Sequence, residues 1–158
     1  MRGERPRGLR QRGYERAFLF GAVRPAIGQG FAPVLPEVST AATQVFLDGF
    51  AAGLAADAHA VIVLDQAGWH GSRSFVVPPD VTLVPLPPYA PGLNPVEQAW
   101  LFPRERFLYH RVLDGHDAIV DACREAWNAL TPERLRSLCA CPRIGMVAVI
   151  GAAVSAWS

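Results

Sequence analysis

The sequence VIVLDQAGWH, at residues 61–70, gives the clearest indication of the fold. It continues an apolar run from Ala60 to Leu64, which has the length of a strand buried on both faces. Asp65 follows directly, so a carboxylate lies where the predicted strand ends. Ligands bind at the carboxyl ends of strands in open α/β sheets, and an acidic group beside a buried run needs a partner. The alternative is a turn aspartate that bonds to its own backbone.

A second segment, LPPYAPGLNPVEQAW at residues 86–100, supplies another carboxylate. Asn94 suits a helix N-cap, Pro95 suits the first helical position, and Glu97 falls three residues after the cap. By spacing alone, this pattern favours a capping role for Glu97. The Pro-rich lead-in is more elaborate than a cap requires, and a carboxylate at a helix N-terminus can still offer one oxygen to a metal ion. Both roles are compatible with the segment.

The pattern along the rest of the chain predicts an α/β domain with helices packed on a sheet. Besides the strand at 60–64, we expect strands over residues 17–23, 30–35 and 81–86, and helices over 39–56, from 94 onward, over 117–130 and from 131 onward. The first helix presents an apolar stripe spaced by four, at Ala42, Phe46, Phe50 and Leu54. Pro103 falls inside the helix that begins at residue 94, and it predicts a disruption there because proline has no N–H to donate.

Composition limits the class of protein. A chain of 158 residues that is 51% apolar and 18% charged is globular rather than disordered, and its length suits one domain. The net charge of +1 is too small to indicate nucleic-acid binding by itself. All 15 basic residues are arginines, and residues 1–16 are rich in them. An arginine-rich arm suits phosphate binding, and it equally suits a solvated terminus.

The cysteines and the apolar tail indicate no further site. The three cysteines show no metal-ligand spacing, and Cys123 falls on the apolar side of a predicted helix, where we expect an inert core thiol. The arginine-rich start does not resemble a signal peptide. The apolar run at 144–157 is shorter than the roughly 20 residues that span a bilayer, so we interpret it as a packed or frayed extension. We therefore expect no membrane partner and a cytoplasmic location.

The two segments together resemble the DDE-type transposases of bacterial insertion sequences, in the mariner-like branch with a ribonuclease H-like core. The resemblance extends from about Arg2 to Arg143. It implies a mixed sheet flanked by helices, with Asp65 as the second and Glu97 as the third acidic residue of the catalytic triad. It also implies two Mg²⁺ (or Mn²⁺) ions about 4 Å apart. The implied activity is metal-dependent DNA cleavage and strand transfer, with transposon ends and target DNA as partners.

The resemblance also implies a first catalytic aspartate on a central first strand, and the sequence contains no Asp before Asp48. Asp48 is a poor substitute, because the helical pattern points it away from the sheet. We therefore expect a sheet that lacks its first strand and leaves both neighbouring strands unpaired, unless another chain supplies a strand. Catalysis is then expected to be impaired. One alternative is a non-catalytic remnant that binds DNA or pairs with intact transposase, and another is a nuclease that uses only Asp65 and Glu97.

Further positions follow from the same resemblance. The predicted site-lining residues are His70, Tyr89 and Asn94. The predicted DNA-binding residues are Arg104, Arg106 and Arg111. For each set the alternative is a turn-forming or solvated role. We expect an arginine-rich arm at 1–16, a partial ribonuclease H-like catalytic domain at 17–143 and an apolar extension at 144–158.

Overall fold

A computed structural model of the protein describes residues 16–64, 76–87, 94–109, 111, 113, 115–140 and 148–151. The strands in this part of the chain are β1 (Phe18–Leu19), β2 (Gly21–Arg24), β3 (Gln29–Phe31), β4 (Val34–Leu35), β5 (Ala60–Leu64), β6 (Val81–Pro85) and β7 (Ala148–Gly151). The helices are α1 (Thr40–Ala52), α2 (Pro95–Pro103), a π-helical segment (Arg104–Leu108), α3 (Gly115–Asn128) and α4 (Pro132–Leu138). The α/β class and the succession of elements agree with the pattern in the sequence.

The main sheet has five strands in the order β3-β2-β7-β5-β6. β2 is antiparallel to β3 and to β7, whereas β5 is parallel to β7 and to β6. β1 and β4 extend the β2–β3 hairpin as a separate two-stranded pair. The turn of this hairpin ends at Gly28, whose φ of 66° suits glycine. The result is a mixed sheet flanked by helices, which is compatible with the predicted ribonuclease H-like architecture.

The centre of the sheet differs from one expectation. The position that we expected to be empty, between β2 and β5, is occupied by β7 from the C-terminal run. The strands on either side are therefore paired, and residues 148–151, within the predicted apolar extension, form a central strand. The physical reason is that an open gap would leave two rows of backbone N–H and C=O groups without partners. A short apolar segment can satisfy both rows.

One side of the sheet is covered by α1, and we call the buried cluster there the α1 face. Its buried members are Phe20, Ala22, Ala42, Phe46, Leu47, Ile62, Leu64 and Val81. α1 starts as predicted, because the Ser39 side chain accepts a hydrogen bond from the Ala42 N–H at 3.1 Å. It ends at Ala52, with Gly53 as the C-cap, instead of continuing to Ala56, so Leu54 packs from the following loop rather than from the helix.

The opposite side is covered by α2, α3 and α4, and we call this cluster the α2–α4 face. Its buried members are Ala17, Leu19, Val23, Val63, Leu86, Val96, Ala99, Trp100, Ile119, Cys123, Leu130, Leu135 and Cys139. Trp100 and Trp127 contact each other with ring centroids 5.5 Å apart. Gly21 lies under this pair, since a Cβ there would come within 2.8 Å of Trp100 Cζ2. The strands can approach these large rings closely only because glycine has no side chain.

The predicted disruption at Pro103 takes a specific form. The α-helix ends at Pro103 and the chain continues in the π-helical segment Arg104–Leu108. Proline cannot donate to the carbonyl four residues earlier, so the α-helical bonding pattern changes at this point. α3 and α4 follow, and α4 begins after Thr131, whose side chain accepts from the Arg134 N–H at 3.3 Å. Within the described ranges, the structure contains no helix with the length and apolar character needed to cross a membrane.

Candidate functional site

The carboxyl ends of β5 and β6 lie at one edge of the sheet, because the two strands are parallel. Leu64 and Pro85 are register partners, and the Leu86 N–H donates to the Leu64 carbonyl at 2.7 Å. Asp65 is the next residue after β5 in the sequence. Asp65 itself lies outside the described residues, so its position relative to Glu97 stays a prediction.

The predicted N-cap of α2 is confirmed. Asn94 is buried, and its side-chain oxygen accepts a hydrogen bond from the Val96 N–H at 3.2 Å. The Glu97 N–H donates to the Asn94 carbonyl, also at 3.2 Å. Asn94 therefore fixes the first turn of α2. Whether it also lines a functional site stays a prediction.

Glu97 lies in the first turn of α2 and is exposed. A carboxylate is favourable at this end of a helix, because the unpaired backbone N–H groups carry partial positive charge. The preceding residue, Val96, is fully buried in the same cluster as Val63 and Leu86. Val63 is the second-last residue of β5 and Leu86 directly follows β6, so the first turn of α2 is anchored in the cluster that contains both strand ends. This packing favours the predicted approach of Glu97 to the carboxyl edge.

Two arginines converge on one aromatic ring. The guanidinium carbon of Arg134 lies 4.4 Å from the Phe102 ring centroid, and that of Arg106 lies 5.8 Å from the same centroid. Both are cation–π distances. Arg106 is one of the predicted DNA-binding residues, whereas Arg134 lies on α4, and no spacing in the sequence relates it to α2. Among the described residues, neither arginine has a carboxylate within ion-pair distance. We call Arg106 and Arg134 the arginine pair.

The other predicted DNA-binding residues are in different environments. Arg111 is exposed but is engaged with Glu125, whose carboxylate oxygen lies 3.1 Å from its Nη1 atom. Arg104 is half-buried at the start of the π-helical segment. Their DNA contacts stay predictions. His70 and Tyr89, predicted to line the site, lie outside the described residues.

The surroundings of Asp48, Cys123 and Cys139 indicate structural rather than catalytic roles. Asp48 is exposed on α1 and accepts a hydrogen bond from the Gln44 side chain at 2.8 Å. Burial raises the pKa of the Cys123 thiol. Burial raises the pKa of the Cys139 thiol to about 11, although a hydrogen bond with the Ala99 backbone acts in the opposite direction. Both thiols are therefore protonated near neutral pH, and inert, as predicted for Cys123. No group of three or more His, Cys, Asp or Glu side chains that could hold a metal occurs among the described residues.

Comparison with known proteins identifies the family. A family model described as DDE superfamily endonuclease matches residues 1–119. The chain is also 44% identical over 117 residues to the uncharacterized protein y4pE/y4sA of Sinorhizobium fredii (strain NBRC 101917 / NGR234). That alignment covers 74% of this chain and 87% of the relative. No solved structure matches the chain.

The chain therefore belongs to the DDE superfamily endonucleases. The resemblance inferred from the segments at 61–70 and 86–100 is confirmed. Membership in this family indicates transposase-type DNA cleavage and DNA binding, and nucleases of this family generally use divalent metal ions. The match ends at residue 119, so α4 and β7 both come from the part of the chain beyond it.

Proposed function

We propose that this chain is the catalytic-domain portion of an insertion-sequence transposase, which cleaves DNA and transfers strands with the help of divalent metal ions. The observation that carries the proposal is the pair of acidic positions in the family-matched part. Asp65 follows the buried parallel strand β5, and Glu97 lies in the first turn of α2, anchored beside the carboxyl ends of β5 and β6. Parallel strands present such ends at one edge, which is where a shared site forms.

The donor chemistry fits Mg²⁺ or Mn²⁺. In this proposal Asp65 and Glu97 would hold the metal, because hard cations prefer carboxylate oxygens. Glu97 is an exposed residue in the first turn of a helix, so a ligand can approach it from solvent. A pair of such ions activates the attacking oxygen and stabilises the leaving oxygen in phosphodiester chemistry. Asn94 holds the turn that carries Glu97, and we propose that His70 and Tyr89 line the site.

We propose that DNA reaches this site across the arginine-bearing side of α2 and α4. The arginine pair places two positive charges around one ring, and in the described part of the chain neither guanidinium has a carboxylate within ion-pair distance. Guanidinium groups suit phosphate oxygens, because they can donate two hydrogen bonds in one plane. Arg104 and Arg111 extend the same chain segment. The partners implied are transposon ends and target DNA.

A second candidate is a non-catalytic transposase remnant that binds DNA or pairs with an intact transposase chain. The central strand favours this reading. The sequence of β7 is AVIG, so the strand beside β5 carries no carboxylate. Of the three acidic positions that the family resemblance implies, this sequence matches two. We therefore expect cleavage by this chain alone to be weak or absent, while DNA binding is retained.

A nicking assay on supercoiled plasmid with Mg²⁺ or Mn²⁺ separates the two candidates. Asp65→Asn and Glu97→Gln should each remove metal-dependent nicking if the chain is an enzyme, since each loses a charged ligand. Asp48→Asn is the matched control, because this carboxylate is exposed on α1 and already bonded to Gln44. Nicking that survives both site variants would overturn the metal-centre proposal. Plasmid retention without nicking would establish the remnant.

A salt titration of DNA binding tests the proposed surface. Arg106→Ala and Arg134→Ala should each weaken binding to any DNA sequence and reduce the slope of log affinity against log salt by roughly 1, as expected for lost phosphate contacts. Arg124→Ala is the control, because Arg124 faces Asp121 on α3. Equal effects of all three substitutions would place the DNA elsewhere.

A further inference from the structure

The exposed arginines differ in what their side chains contact. Three of them have a carboxylate within ion-pair distance: Arg111, Arg124 and Arg136. The two members of the arginine pair, Arg106 and Arg134, have none among the described residues, and neither side chain donates a hydrogen bond to that part of the chain. Both are exposed. Their guanidinium groups therefore remain available to a ligand, although both lie near the same aromatic ring.

The ring that the arginine pair shares is fixed by packing. Phe102 is half-buried and packs against the cluster of the α2–α4 face. Phe107 contacts it edge-on, with ring centroids 6.0 Å apart and planes inclined at 60°. The guanidinium carbon of Arg134 lies over this ring at 4.4 Å from its centroid. A guanidinium is planar, so one face can lie against the ring while the other face and the N–H edges are open to a ligand.

A planar cation supported by an aromatic ring is a surface on which a flat ligand can stack. In duplex DNA the faces of the bases are covered by their neighbours, so a protein reaches only base edges, sugars and phosphates. An unpaired nucleotide exposes the face of its base, and proteins stack such bases on aromatic rings and on guanidinium planes. It also carries a phosphate, which a second guanidinium can bind. One supported plane with one further cation therefore matches a single unpaired nucleotide.

We propose that Arg134, supported by Phe102, stacks on the base of an unpaired DNA nucleotide, and that Arg106 binds a phosphate of the same strand. This inference rests on the proposed function, because it narrows the DNA on this side of α2 and α4 to a single-stranded segment. A phosphate contact alone requires charge but no fixed plane, so the position of Arg134 over a ring favours stacking. Arg134 lies on α4, outside the family-matched residues 1–119, so the surface joins a matched and an unmatched part of the chain.

Fluorescence anisotropy of labelled probes bound to the full-length chain tests this surface. The probes are a thymidine strand, an abasic strand of the same length, which keeps the phosphates but has no base to stack, and a duplex. Arg134→Lys keeps the positive charge and removes the plane. We expect it to weaken binding of the thymidine strand by about ten-fold, and binding of the abasic strand and the duplex by less than about two-fold. The assay contains no divalent ion, so its result does not depend on nicking.

Two further variants control for charge and for the ring. Arg136→Lys is the matched control, because Arg136 lies on the same helix with its Nη2 atom 3.4 Å from the Glu133 carboxylate, and it should change binding of each probe by less than about two-fold. Phe102→Leu keeps an apolar side chain but removes the ring, and it should weaken binding of the thymidine strand selectively. Thermal unfolding checks this half-buried substitution, and the exposed Arg134→Lys decides the result if Phe102→Leu does not fold.

The possible outcomes separate the stacking surface from the proposed function. If the natural chain binds the thymidine and abasic strands equally, or if Arg134→Lys weakens both equally, stacking is overturned. If Arg134→Ala weakens binding of all three probes while Arg134→Lys weakens none, stacking is again overturned. The arginine pair then makes phosphate contacts alone, and the proposed function stands. If neither Arg106→Ala nor Arg134→Ala changes the binding of any probe, the proposed DNA path fails together with the stacking surface.

Discussion

The two faces of the sheet are built in different ways. The α1 face is regular: one capped α-helix packs phenylalanines against the strands, with Phe46 between Phe31 and Phe50 at centroid distances of 5.5 and 6.2 Å. The α2–α4 face contains a π-helical segment, glycines pressed against tryptophan rings and a buried indole donor that has no hydrogen-bond partner among the described residues. It also carries Glu97 and the arginine pair. The irregular features of the packing therefore lie on the side of the sheet that carries the candidate functional residues.

The difference in packing between the α1 face and the α2–α4 face has a physical reason. Regular packing stabilises a fold, whereas functional sites often retain local structure that is not the most stable choice. π-Helical turns in particular recur near functional sites. If the division is correct, substitutions on the α1 face should alter stability without altering DNA binding. Substitutions on the α2–α4 face should alter both.

The largest expected effect is on the α1 face. Phe46→Ala should lower the free energy of unfolding by about 3–5 kcal/mol, because it removes a fully buried ring from a close-packed cluster. Urea denaturation measures this loss. Val45→Ala is the control on the same helix, since Val45 is 57% exposed, and it should change stability by less than about 0.5 kcal/mol. Similar losses in the two variants would mean that α1 does not pack as described.

The next effect tests how the β2–β3 hairpin meets α4. Gly28→Ala should cost more than about 2 kcal/mol. Gly28 has a φ of 66°, and a Cβ there would overlap the Pro132 carbonyl oxygen. Gly53→Ala is the matched control, because Gly53 has a φ of −87° and space for a methyl group. Thermal unfolding of both variants gives the comparison, and a harmless Gly28→Ala would contradict the hairpin–α4 contact.

A smaller effect compares the two helix caps. Asn94→Ala should cost about 2 kcal/mol and Ser39→Ala about 1 kcal/mol, within the range for lost N-caps. The difference follows from burial, because Asn94 is 4% exposed whereas Ser39 lies at a partly exposed helix start. Only Asn94→Ala should also weaken Mn²⁺ binding, since it holds the turn of Glu97. Equal effects of the two substitutions on Mn²⁺ binding would show that Asn94 does not support the proposed metal site.

The smallest effect concerns pH. The folded chain raises the pKa of Cys139 to about 11, so the protonated thiol is favoured in the fold. Its contribution to stability is fully present below the pKa of the unfolded thiol, near 9, and is lost as the pH rises towards 11. By pH 10 the natural chain should lose about 1 kcal/mol relative to pH 8 through this residue. Cys139→Ala should lack this component, and identical pH profiles would contradict the burial of the thiol.

Much of the fold could be predicted because local signals and burial agree. The apolar run at Ala60–Leu64 is the observed β5, and Ser39, Asn94 and Thr131 cap the three helices that their positions predict. Such signals depend on neighbouring residues, so a single sequence reveals them. The family was identified for the same reason, since each of its motifs is contiguous.

The features of the fold and the candidate site that could not be predicted depend on contacts between segments that are distant in the sequence. Nothing local indicates that Ala148–Gly151 pairs with β2 and β5, because an apolar run of four residues is compatible with any buried position. Arg134 meets Phe102 through the packing of α4 against α2, which no sequence spacing encodes. The burial of the Trp100 N–H, without a hydrogen-bond partner in the part of the chain that the structure describes, likewise arises from how α2 packs on the sheet. Tertiary placement decided each of these features.

The central location of β7 has a consequence for synthesis. A nascent chain emerges from the ribosome N-terminal end first, yet the middle of this sheet is its last described element. Until Gly151 is released, β2 and β5 present open edges to the surroundings, and such edges invite aggregation. Pairing between the two ends of a chain also slows folding, because the long intervening loop must close first. Dependence on a chaperone should therefore be greatest before residues 148–151 leave the ribosome.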